Sequence, residues 1–324
     1  MFNYKRLNFT FLSFLILLAV VLVDIFQLQT QEFDSTSEII NRQNLDTFYI
    51  TAPRGEMFDT NGNKIVETFS RNNAKVFACV RRINDKFLLD IKKIAKENKT
   101  EVIPIELDFN SEDSIKEASI KILSQAKIID ILVNNAGIIH TANFQMTSHS
   151  KLKEIFEINF FSQNKFTQYI CKPMIKNKKG NVLSIVTTYA WTGSPYVVPS
   201  AAAKAGVLAM TRSLAVEWGK YNIRFNAIAP GPFPTKGAWS RLMPPGFEDF
   251  EDGMKNKIPM KRFGERHELE NLASYLMSDG SAYINGEVVT IDGGEWLAGA
   301  AEFSEMDKIP DSLWKAMAAR RKKK

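Results

Sequence analysis

From about residue 47 onward, short apolar runs of strand length alternate with longer stretches in which apolar residues recur every three to four positions. The strand-like runs are Lys75–Val80, Glu101–Leu107, Ile129–Asn134, Asn181–Thr187, Arg224–Pro230 and Glu287–Ile291, with a helical pattern between each and the next. Such alternation predicts an α/β fold, a doubly wound parallel sheet, because each helical crossover returns the chain to the same end of the sheet. Ligand sites in that architecture lie at the carboxyl ends of the strands, where Asp108, Asn134, Tyr189 and Pro230 all fall. A further β-prone run, Thr47–Thr51, can stand in for the first strand. Without it, the neighbouring strands would be left with unpaired backbone groups and uncovered apolar surface.

The N-terminus breaks this pattern. Lys5 and Arg6 precede an uncharged apolar run from Phe9 to Val23, which continues past Asp24 through Ile25 and Phe26. The run is apolar on all sides and, so extended, comes close to the roughly 20 residues that span a bilayer. Residues 1–27 therefore read as a membrane anchor. Cations before it and Glu32, Asp34 and Glu38 after it favour an N-in orientation. The alternative is a cleaved signal peptide, but no small-x-small site follows Val23, which favours an uncleaved anchor.

Composition adds limits rather than chemistry. The chain has 324 residues, 45% of them hydrophobic, enough to bury a full core. The formal charge is +6, and its terminal run, Arg320 to Lys324, reads as a solvated tail rather than a nucleic-acid or lipid contact. Two cysteines, Cys79 and Cys171, do not make a disulfide framework, and three histidines without ligand spacing imply no metal site.

Most of the candidate chemistry lies in TTYAWTGSPYVVPSAAAKAG, residues 187–206. Tyr189 follows an apolar run containing Val182, Leu183, Ile185 and Val186. Lys204 lies in an alanine-rich segment that must be helical, and Ser200 precedes it by four positions, on the same helical face. A phenol and an ammonium brought together can polarise a carbonyl. Ser200 and Thr187 add hydroxyls near that carbonyl, although an aliphatic alcohol is too weak an acid to replace the phenol.

From about Tyr189 onward the chain resembles the 2,4-dienoyl-CoA reductases of the short-chain dehydrogenase/reductase superfamily. The matching stretches begin at VTTYAWTGSPYVVPSAAAKAGVLAMTRSLAVEWGKYNIRFNAIAPGPFPTKGAWSRL and continue through IPMKRFGERHELENLASYLMSD and INGEVVTIDGGEW. Most of the superfamily carries a YxxxK pair. Here Ser200 holds that tyrosine position and the tyrosine stands upstream at Tyr189, which is the mark of the dienoyl-CoA reductase branch. Residues 65–188 resemble the superfamily in a more generic, ketoacyl-reductase-like form. Asn134 to Gly137 match its NNAG motif, Asp108 matches the residue that touches adenine, and Asn159 matches the helix asparagine of the generic catalytic tetrad.

This resemblance implies a Rossmann fold over residues 62–324 and a reduction of an acyl-CoA thioester in fatty acid metabolism. Hydride passes from NADPH to Cδ of the diene, and Tyr189 donates a hydrogen bond to the thioester oxygen where negative charge collects. Lys204 holds the nicotinamide ribose, and Pro230, Gly231 and Thr235 contact the nicotinamide end. Asn134, Ala136 and Gly137 line the adenine-ribose side. Arg81 and Arg82 follow the second strand, where arginines suit a 2′-phosphate and so favour NADPH. An asparagine that binds the thioester in this family is replaced here by Ile138 or Ile139. Members are often tetramers, so a homo-oligomer is expected.

One superfamily hallmark is missing. Short-chain reductases hold the pyrophosphate with TGxxxGxG at the first strand–helix turn, where bare backbone and a helix N-terminus meet the phosphates. Aligning Ile65 to Phe69 with the following helix puts Gly62 at the third glycine, Glu56 at the first and Thr60 at the second. The segment before it, FYITAPRGEMFDTNGNKIVE, resembles the start of class B penicillin-binding proteins, in which an anchor leads into a short linker. Residues 28–61 read as that linker. A stray SxxK, Ser148 to Lys151, has no following KTG, which argues against transpeptidase chemistry.

Three functional readings follow. The first is an NADPH-dependent dienoyl-CoA, or related enoyl or keto thioester, reductase. The second is a catalytically impaired mosaic, a cofactor-free reductase-like domain on an anchor. The third, resting on the first 65 residues alone, is a cell-wall synthesis accessory protein. The compartments conflict: reductase chemistry expects the cytoplasm, whereas the charge rule exports the domain.

Overall fold

A computed structural model describes residues 48–50, 66, 70, 74–126, 128–234 and 248–321. They belong to one compact unit, Leu45–Lys324. Seven parallel strands form a single sheet in the order β3-β2-β1-β4-β5-β6-β7. The strands are β1 (Phe48–Ile50), β2 (Val76–Val80), β3 (Val102–Glu106), β4 (Ile131–Asn134), β5 (Gly180–Ile185), β6 (Ile223–Pro230) and β7 (Val288–Ile291). Each lies within two residues of an apolar run in the sequence. Thr187 is the exception to the expected ends, because β5 stops at Ile185 and leaves Thr187 in the turn beyond it.

The segment Phe48–Ile50 is the central strand. Phe48 lies opposite both Val76 of β2 and Ile131 of β4, and the register continues through Ile50. The chain winds outward from β1 in both directions, so the switch in strand order falls between β1 and β4, where open α/β sheets bind ligands.

The pleat explains how the sheet is covered. Successive side chains point to opposite faces, and in β2 Phe77 and Cys79 join one buried cluster while Val76 and Ala78 join the other. Helices α2 (Glu112–Gln125) and α4 (Ser162–Asn177) cover the first face through Ile115, Ile122, Phe166 and Ile170. Helix α1 (Asp85–Asn98) and the helix Arg266–Met277 cover the second through Ile91, Ile94 and Leu276. Both cysteines are buried thiols, and burial pushes their pKa values up.

Ser148 is a helix cap. It precedes α3 (His149–Phe156), its Oγ accepts from the Lys151 amide, and Lys151 Nζ pairs with Glu154 at 2.7 Å. The SxxK match is therefore a capped first turn with its lysine engaged. Among the described residues no helix is long and apolar enough to cross a membrane. The expected anchor, residues 1–27, and the expected linker, residues 28–61, lie outside the described residues except for 48–50.

Candidate active site

The site is assembled where β4, β5 and β6 end side by side. Helix α3 does not run straight into α4; a π turn, Glu157–Phe161, intervenes. Such single-turn bulges reorient side chains at functional positions. Here the turn carries Asn159, fully buried, whose Oδ1 accepts from the Ile138 amide at 2.6 Å and whose Nδ2 donates to the Ile138 carbonyl at 2.8 Å. Both ends of the amide are thus engaged in holding the loop that follows β4. Asn159 is placed to position Ile138 rather than to replace the missing thioester-binding asparagine.

The same loop is held a second time. Gln163 Nε2 donates to the Ala136 carbonyl at 2.5 Å, and Asn134 Nδ2 donates to Thr167 Oγ1 at 3.0 Å. Asn134, Ala136 and Gly137 are all buried. Gln163 and Thr167 were not singled out in the sequence, although they follow Asn159 at intervals of four through the π turn into α4.

Beyond β5 the backbone turns at once into a single-turn helix, α5 (Tyr189–Thr192), which closes with a bond from the Gly193 amide to the Tyr189 carbonyl at 2.9 Å. Gly193 has φ of 72° and ψ of 173°, an extended positive-φ conformation open essentially to glycine alone. Tyr189 is partly exposed and Thr187 is buried. The next helix, α6 (Val198–Glu217), begins with Pro199 in its first turn and buries Ser200 and Lys204 on one face. Lys204 Nζ donates to the Ile185 carbonyl, the last residue of β5, at 2.7 Å. That bond fixes α6 to the strand end from which Tyr189 departs. Ser200, Lys204, Thr187 and Tyr189 are therefore brought to one strand end.

At β6, Pro230 and Gly231 are half-buried. The Gly231 amide donates to the Ile291 carbonyl at 2.9 Å, and a Cβ on Gly231 would come within 2.8 Å of the Asp292 Cα. The absence of a side chain is what lets the ends of β6 and β7 approach.

The other end of the sheet is built differently. Arg81 and Arg82 are exposed just past β2. Arg81 Nε pairs with Asp108 Oδ2 at 3.1 Å, with side chains 56% and 31% exposed. Asp108 is itself oriented, its amide donating to Ser114 Oγ and its Oδ1 accepting from the Asn110 amide, both at 2.9 Å. Gly62 and Thr235 lie outside the described residues.

The model of the enoyl-(acyl carrier protein) reductase family matches residues 61–295. The chain belongs to the short-chain dehydrogenase/reductase superfamily. It is 36% identical over 236 residues to the Caenorhabditis elegans "Probable 2,4-dienoyl-CoA reductase decr-1.2 [(3E)-enoyl-CoA-producing]", covering 72% of this chain and 76% of that protein. It is 39% identical over 223 residues to a Bacillus subtilis relative, "Probable 2,4-dienoyl-CoA reductase [(2E)-enoyl-CoA-producing]", covering 66% and 84%. A solved Beutenbergia cavernae structure that bears the name of an NAD(P)-dependent gluconate 5-dehydrogenase, with NADP at low occupancy, matches with a TM-score of 0.70 and 26% identity, covering 78% of this chain and 97% of that one. The matched family stretch begins after β1, so the segment that supplies the central strand precedes it.

Proposed function

We propose that this short-chain reductase reduces 2,4-dienoyl-CoA, or a closely related enoyl or keto thioester, with NADPH. The observation that carries this reading is Lys204, buried and fixed at 2.7 Å to the end of the strand from which the Tyr189 turn departs.

The residues past β2 suit the 2′-phosphate of the cofactor. Arg81 and Arg82 put two cations at the carboxyl end of β2, and the bond from Asp108 runs through Nε rather than through the terminal nitrogens that grip a phosphate. NADPH, when bound, supplies the hydride. Tyr189 then donates to the thioester oxygen and stabilises the charge that develops there, the type of preorganised donor that contributes most to such reactions. Lys204 supports that donor and the ribose beside it. Asn159 and Gln163 act one step back, holding the loop after β4 by its Ile138 and Ala136 backbone. The two dienoyl-CoA reductase relatives bear names with different products, (3E)- and (2E)-enoyl-CoA. We assign the 3-enoyl product to this chain, formed when the dienolate left by hydride addition at Cδ takes a proton from solvent at Cα, with the domain carried on an N-terminal anchor.

Full-length protein in detergent, mixed with NADPH and 2,4-hexadienoyl-CoA, tests the reading. Consumption of both with formation of the 3-enoyl thioester by NMR is expected. Tyr189→Phe is expected to lower kcat by about a hundredfold or more while leaving NADPH affinity within twofold. Equal activity would sink the Tyr189 assignment. A folded chain that binds no dinucleotide by calorimetry would instead favour the impaired mosaic, an outcome for which Glu56 and Asp59 in the segment before Gly62 give the physical reason.

A further inference from the structure

Two tryptophans far apart in the chain meet beside the catalytic turn. Trp191 stands two residues after Tyr189 in the same single-turn helix, α5. Trp296 stands in the short helix Glu295–Ala300 that follows β7. Their rings stack with centroids 5.3 Å apart and planes 28° from parallel. In the sheet β6 lies between β5 and β7, so the pair closes across the carboxyl end of β6, where Pro230 and Gly231 lie. This is the end of the sheet away from Arg81 and the adenosine side.

The pair is held on both sides. Asp292 accepts from the Gly294 amide at 2.9 Å and from the Trp296 amide at 2.8 Å, which fixes the start of the Trp296 helix. Asp292 packs against Gly231 so closely that no side chain fits there. Trp191 packs against a buried cluster that includes Val186, Ala190, Leu208 and Ala229. Trp296 also carries a buried indole N–H with no hydrogen-bond partner among the described residues. That nitrogen is closed off from solvent, so protein atoms pack the ring on this edge as well.

We propose that the Trp191–Trp296 stack is the side wall of the substrate site and sets the width open to the acyl group beside Tyr189. This rests on the thioester-reductase reading. A flat, stiff aromatic wall admits a straight planar acyl chain and excludes one that carries a ring or branch near the reacting carbons. Trp191 and Trp296 are specificity-determining residues in this account.

The test is the ratio of kcat/KM for 5-phenyl-2,4-pentadienoyl-CoA to that for 2,4-hexadienoyl-CoA, measured with the full-length chain. Trp296→Ala and Trp191→Ala are each expected to raise the ratio about tenfold. Trp296→Phe keeps a flat ring and is expected to hold the ratio near wild type. Unchanged ratios in both alanine variants, with wild-type circular dichroism, overturn the wall. If wild type turns over neither thioester, the reductase reading is what has failed. The wall is then read from calorimetry with the unreactive pair 5-phenylpentanoyl-CoA and hexanoyl-CoA. A relative gain in Trp296→Ala for the phenyl compound supports it, and no gain overturns it.

Discussion

The two ends of the sheet hold their functional side chains by opposite means. Past β4 and β5, three buried groups are bonded to backbone, Asn159 twice to Ile138, Gln163 to Ala136 and Lys204 to Ile185, around a partly exposed Tyr189. Past β2 and β3, Arg81 and Asp108 meet in an ion pair that is largely open to solvent. In a low-dielectric site each hydrogen bond is stronger and each orphaned partner more costly, whereas an exposed pair is screened and contributes about 0–1 kcal/mol. The geometry past β4 and β5 is thus set by folding itself, while past β2 and β3 only Asp108 is held by local hydrogen bonds and the arginines meet solvent, so this is the part that salt can move.

The largest expected effect tests the buried side of that contrast. Asn159→Leu removes both partners of Ile138 and leaves its buried-side N–H and C=O unpaired, a cost of about 1–3 kcal/mol for such a group. The variant is expected to melt several degrees lower in calorimetry and to lose most turnover, because the loop after β4 then keeps its Gln163 and Asn134 bonds while the Ile138 end is released. A wild-type melting temperature would show that water replaces the asparagine without cost and that this end is less preorganised than its bonds imply.

What the sequence made legible follows the same division. The strand pattern is local, short apolar runs buried on both faces of the sheet, so the carboxyl-end positions could be placed to within two residues. The Tyr189, Ser200 and Lys204 spacing was likewise readable, since four residues is one helical turn. The π turn at Asn159 was not, because the backbone departs from the 3.6-residue period without a marker in composition. Nor was the Trp191–Trp296 stack, which joins residues on two strand ends that only the sheet order brings together. The Arg81–Asp108 pair shows the same limit. Both residues were singled out, each for its own contact with the cofactor, and their contact with each other depends on β2 and β3 being neighbours.

A smaller effect tests the exposed end. Arg81→Ala with Arg82→Ala is expected to leave the melting temperature within experimental error, since the one ion pair lost is a surface pair. The NADPH-over-NADH ratio of kcat/KM is expected to narrow about tenfold, which corresponds to one charge-assisted contact of about 1.4 kcal/mol. The wild-type ratio should also fall as salt rises, because screening shortens the reach of exposed charges. An unchanged ratio would reject the phosphate role and leave the two arginines as solvated surface.

The smallest effect is in the pH dependence of stability, where two glutamates give opposite signs. Glu295, half-buried beside Asp292, has its carboxyl held above the ordinary range, first by burial and then by the neighbouring charge. Folding therefore favours its protonated form. The stability it contributes is present below the ordinary carboxylate range and is lost as pH rises through the raised value. Glu268 is the reverse case. Arg262 donates to both of its oxygens, at 2.6 and 2.8 Å, the Glu265 amide adds a third bond, and its pKa falls to about 2. Its contribution is present above the ordinary range and is lost as pH falls toward about 2. Melting temperatures across acid to neutral pH should therefore diverge between the variants. Glu295→Gln is expected to remove a loss of stability on the rising side, and Glu268→Gln a loss on the falling side. Curves that shift in the same direction would mean that the carboxylate beside the Trp296 helix is solvated, and that the buried, preorganised character of the catalytic end stops short of β7.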